Sequence, residues 1–70
     1  MLSIDEISVS GSYFLTTPAN GSFNAILDNI TGDNNELYIF KKITPEESLT
    51  EITVVDKNEY GNIWIVEKIT

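Results

Sequence analysis

Histidine, cysteine and arginine are all missing from this 70-residue chain, and each absence removes a class of chemistry. Without His there is no side chain whose ordinary pKa suits general acid–base work near pH 7. Without Cys there is no thiolate nucleophile, no disulfide and no thiolate metal site. Without Arg there is no planar fork for bidentate grip on phosphate or carboxylate. Glycine is scattered in single residues at 11, 21, 32 and 61, so no Gly-rich loop can cradle a phosphate. No apolar run approaches the roughly 20 residues that span a bilayer. The start, Met1 to Glu6, carries neither a basic n-region nor an apolar h-region, so no secretory signal is expected and the expected location is the cytoplasm.

What remains is acidic and strand-like. Eleven Asp and Glu face four Lys, for a net charge of −7. The sign is unevenly spread: residues 1–40 contain no basic side chain, and Lys41, Lys42, Lys57 and Lys68 all fall in the last 30. Nucleic acids and anionic membranes are bound through Lys and Arg that displace counterions. Neither is therefore an expected partner. A protein with a basic surface is the natural counterpart.

Seventy residues make one domain, one that buries only about 60% of its unfolded surface. With 41% hydrophobic residues a packed core is expected rather than disorder. The apolar residues alternate with polar ones, the period of half-buried strands. Ile7, Val9, Tyr13 and Leu15 share one face of a long first strand, with Gly11 marking a bulge or bend. Pro18-Ala19-Asn20-Gly21 is a hairpin turn signal. Strand two runs from about Ser22 to Ile30, with Phe23, Ala25 and Leu27 together. Strand three, Glu36 to Ile43, places Leu37, Ile39 and Ile43 on one face and Tyr38, Phe40 and Lys42 on the other. Thr44-Pro45-Glu46-Glu47 has the pattern of a capped helix start. Strand four spans Thr50 to Val55, and Asp56 to Gly61 is expected to turn a hairpin into strand five, Asn62 to Ile69. The predicted fold is thus all-β: five antiparallel strands in the order β-β-β-short helix-β-β, as a small barrel or a curved sheet. Both an OB-like and an SH3-like path fit.

Three constellations bear on chemistry. Asp28, Asp33 and Glu36 with Asn29, Asn34 and Asn35 set oxygen ligands around one loop, but not in the register of an EF-hand. These residue types favour turns on their own account. Any acidic chain offers carboxylate pairs of the glycosidase kind, yet so short a sheet offers little cleft, so neither catalysis nor a cofactor is expected. Lys41 and Lys42 alternate across a strand and cannot serve one ligand from one face.

The expected activity is therefore recognition without catalysis. One candidate surface is the acidic set Asp33, Glu36, Glu46, Glu47 and Glu51, which suits electrostatic steering of a basic partner. The other is Tyr38, Phe40 and Trp64, on the second apolar face of strands three and five, as aromatic anchors. A small inhibitor or modulator of the phage or mobile-element type is one form of this expectation, acting then in the host cytoplasm. A self-assembling subunit, or an oligomer that sequesters a small ligand, is the alternative.

Overall fold

A computed structural model of the chain describes residues 1–18, 21–43, 51–59 and 64–69, with the backbone alone at Trp64. Five antiparallel strands form one sheet: β1 (Ser12–Thr17), β2 (Gly21–Thr31), β3 (Leu37–Lys42), β4 (Ile52–Asp56) and β5 (Trp64–Lys68), in the spatial order β4-β3-β2-β1-β5. The fold is all-β, as the alternation predicts, and takes the form of a curved open sheet rather than a closed barrel.

The order corrects one expectation. β4 and β5 do not form a hairpin. β4 pairs with β3, whereas β5 crosses to the far edge and pairs with β1. Four strands thus follow a simple meander and the fifth returns beside the first. That agrees with the SH3-like path, and not with the Greek key of an OB fold. A 3₁₀ turn, Lys57–Glu59, leads out of β4. The predicted short helix from Thr44 lies outside the described residues.

The first strand is also shorter than its alternation suggests. Ahead of it, Ile4–Glu6 is a 3₁₀ turn capped by Ser3, whose hydroxyl accepts from the Asp5 N–H while Glu6 Oε1 accepts from the Ser3 N–H. The chain turns at Val9 and Ser10, where Ser10 has φ +76°. Val9 is consequently exposed. Leu2 adds a single bridge to the outer side of β5, donating its N–H to Ile65 O at 2.7 Å.

All five strands contribute to one core: Tyr13, Leu15, Phe23, Ala25, Leu27, Tyr38, Phe40, Val55 and Ile65, closed by Ile4 and Ile7 from the N-terminal segment. A single sheet with one buried face must curl over that face, and two bulges supply curvature. Asp28 is the extra residue on β2 between the pairs Leu27↔Phe40 and Asn29↔Ile39. Val66 is the extra residue on β5 between Leu15↔Ile65 and Phe14↔Glu67. The Asp28 bulge shifts the inward parity, so that after Phe23, Ala25 and Leu27 the next core-facing residue is Ile30 rather than Asn29.

Candidate recognition surface

The lysines decide where negative charge is left unbalanced. Lys41 lies on the outer face, its Nζ 3.6 Å from Asp28 Oδ1 at the bulge. Lys42, one residue on, lies on the core side, 3.2 Å from Glu51 Oε2 and 5.3 Å from the centre of the Phe23 ring. The two ammoniums thus serve opposite faces, as a pleated strand requires. Lys42 and Glu51, with Phe23, Ile52 and Thr53, also line an open hollow of about 240 Å³. Its two charges neutralise each other. No buried polar side-chain atom among the described residues lacks a partner, so the hollow offers no unmet hydrogen bond for a ligand to satisfy.

The opposite end of β3 is different. There the β2–β3 turn meets the end of β4. Gly32 has φ +98°, and Asn35, at φ +54°, donates its N–H to Gly32 O at 3.2 Å. Both conformations suit the residue types present, since Gly and Asn enter the left-handed region at least cost. Glu36 folds back over the turn: its Oε2 accepts from the Asn34 N–H at 2.8 Å. The Lys57 N–H then donates to Glu36 O at 2.8 Å, joining the turn after β4 to the start of β3. Asp56 Oδ1 accepts from the Asn58 N–H at 2.8 Å. This end therefore carries the carboxylates of Asp33, Glu36, Asp56 and Glu59 against the single ammonium of Lys57. Among the described residues, the side chains of Asp33 and Glu59 make no hydrogen bond or ion pair. Among the described residues no three acidic groups come together as a metal site would need; the charge is spread over a surface.

Measured against the expected residues, the surface changes in three ways. Asp33 and Glu36 lie at this end, but Glu51 lies at the other end of β3, where Glu51 O accepts from the Lys42 N–H. Six residues of strand separate the two, roughly 20 Å, so the expected single acidic patch is divided. Glu46 and Glu47 lie outside the described residues. Tyr38 and Phe40 are 7% and 0% exposed. Their face is the inner one, and burial withdraws them from any partner. The backbone of Trp64 pairs with Thr16, and its side chain lies outside the described residues. Asp56 and Glu59 were not among the expected residues. The run Asp56-Lys57-Asn58-Glu59 reads as a polar loop, and only the β3–β4 pairing sets it beside Glu36.

A second exposed feature lies on the outer face of the β4 edge. Ile52 and Val54 are 59% and 51% exposed, beside the half-buried Ile39 of β3. Among the described residues no helix is long and apolar enough to cross a membrane. No family model, no curated protein and no solved structure matches the chain.

Proposed function

We propose that this protein is a non-catalytic interaction module that binds a partner protein through a basic surface on the partner. The observation that carries the reading is the unbalanced sheet end, where Asp33, Glu36, Asp56 and Glu59 outnumber one lysine and, among the described residues, two of the four carboxylates make no hydrogen bond or ion pair. Unpaired surface carboxylates attract a basic patch at long range and fix its orientation on contact. Lys41 and Lys42 do not dilute this field, because each is held by its own carboxylate elsewhere on the sheet. A rigid β module that occupies a basic surface blocks whatever that surface ordinarily binds, which makes it an inhibitor or modulator.

The test is capture of partners by the intact chain at low and at high salt, set beside an Asp33→Lys, Glu59→Lys double variant. Both side chains are exposed and make no hydrogen bond or ion pair among the described residues, so the variant should melt like the parent. The parent should retain a discrete basic protein at low salt and release it at high salt. The variant should bind that protein at least about tenfold more weakly, since rim charge reversal acts on association. Equal binding by parent and variant would overturn the assignment of this end.

A further inference from the structure

The two edges of the sheet are not alike. β5 has Leu2 bridged along its outer side, whereas β4 is the terminal strand at the other edge. We infer that β4 pairs antiparallel with β4 of a second copy of this chain, about a twofold axis through Val54, to make one continuous sheet. This goes beyond the proposed function, and it rests on the β4 edge rather than on the unpaired carboxylates of Asp33 and Glu59.

The backbone sets which residues can take part. Lys42 N–H donates to Glu51 O, and Lys57 N–H donates to Glu36 O. Glu51 and Lys57 therefore direct their backbone groups toward β3, as do Thr53 and Val55 between them, because the direction alternates along an antiparallel strand. The groups of Ile52 and Val54 and the Asp56 N–H point away from the sheet, and among the described residues no hydrogen bond is made to them; the Asp56 carbonyl heads the 3₁₀ turn that follows. A row of free N–H and C=O groups is a template for another strand.

Centring the axis on Val54 satisfies that row: Val54 pairs with Val54 of the second copy, and Ile52 pairs with Asp56 in both directions. The same register sets Glu51 opposite Lys57 twice, once on each side of the axis. Glu51 and Lys57 are both exposed, and opposite charges directly across a ladder stabilise it. The Glu51 carboxylate would then lie between Lys42 of its own chain and Lys57 of the other. On the outer face, Ile39 and Val54 of one copy would continue into Val54 and Ile39 of the next, covering the exposed Val54 side chains. Neighbouring registers do worse. An axis on Asp56 sets Asp56 against Asp56, and one on Ile52 leaves Glu51 opposite Thr53. An axis on Thr53 falls at a non-hydrogen-bonded pair, joins Ile52 only with Val54 among the described residues and sets Glu51 opposite Val55, and one on Val55 sets Glu51 opposite Glu59.

Each copy carries a charge of −7, and salt screens the resulting repulsion beyond about 8 Å at physiological strength. The experiment is therefore sedimentation equilibrium of the intact chain near that ionic strength, over a wide concentration range. Wild type should show a monomer–dimer equilibrium. Lys57→Glu sets like charges opposite each other and should weaken the dimer at least about tenfold. Combining it with Glu51→Lys reverses both partners and should restore most of the loss. Val54→Lys, at an exposed position that the monomer fold does not need, should be monomeric, and a melting curve confirms that each variant is folded. A monomer mass at all concentrations overturns the inference, whether or not another protein covers the edge. So does a dimer indifferent to Lys57→Glu and Val54→Lys. The two surfaces share Asp56 and Lys57, but the basic partner is read from capture through Asp33 and Glu59, which the ladder does not use.

Discussion

Tyr13 fills the space that a β-carbon on Gly11 would take. Its Cζ lies 2.7 Å from that position, and its hydroxyl accepts from the Ser8 N–H at 2.9 Å. The phenol thereby ties the N-terminal segment, which carries Ile4 and Ile7 into the core, to the first strand. Gly11 thus answers a close approach in the fold.

Gly11→Ala should therefore destabilise the domain by about 1–3 kcal/mol, the range for an extra methyl in a packed site. Tyr13 is 2% exposed and has nowhere to swing. Tyr13→Phe keeps the ring but leaves the Ser8 N–H without its partner, which should cost about 1–2 kcal/mol. Urea unfolding of each variant against the parent measures both. A Gly11→Ala protein as stable as the parent would show that the ring is free to move.

Asp28 makes an unusual prediction about deletion. Removing one residue from a strand moves every following side chain to the other face. Asp28 is the bulged residue, so its removal leaves Asn29 opposite Ile39 and Ile30 opposite Tyr38, as they stand. The lost ion pair with Lys41 is half-exposed and is worth about 0–1 kcal/mol, with some curvature lost besides. Deletion of Asn24 should instead turn one half of β2 inside out and abolish folding, since Phe23, Ala25 and Leu27 can no longer share a face. Circular dichroism and thermal melting distinguish the two. If both deletions unfold the chain, the bulge is needed for curvature itself.

Phe40 and Ile52 occupy adjacent strands with opposite fates. Phe40 is fully buried, and Phe40→Ala should cost about 3–5 kcal/mol. At about 0.05–0.15 kcal/mol per residue for a native domain, that loss approaches the whole stability of a chain this size. Ile52 is 59% exposed, and Ile52→Ala in the dilute monomer should fall within about 0.5 kcal/mol. Denaturation midpoints decide the matter. A large loss at Ile52 would mean that the outer face is covered in solution.

Much of the fold was legible in local pattern. The pairs Phe23/Leu27 and Tyr38/Phe40 have period-two spacing, and both proved to lie on one face of a strand. The hairpin expected at Pro18 to Gly21 is made, with Thr17 paired to Gly21. Even the Asp28 bulge leaves a trace, because the apolar spacing 23, 25, 27, 30 breaks parity once. Which face became the core was not legible. Tyr38 and Phe40 read as well for a second, recognising face as for an inner one, and Ile52 and Val54 read as well for core. Alternation states that two faces exist and is silent on which one the sheet curls over.

The candidate surface divides along the same line. From its residues alone the chain was bound to be acidic, without histidine, cysteine or arginine, and built of short alternating strands, because these are properties of composition and of spacing over a few residues. Where β5 goes is a different matter. Asp56 to Gly61 read as an ordinary hairpin turn between neighbours, yet β5 pairs with β1 and leaves β4 as an edge. Pairing of distant strands depends on the loop-closure entropy and the shared burial of the whole sheet, which no local run of residues encodes. The β3–β4 pairing brought the end of β4 beside Glu36 and sent Glu51 to the far end of β3, and the departure of β5 left the outward groups of Ile52 and Val54 on an edge. Residue types supplied the charge and the strands, and tertiary structure alone decided which of them share a surface.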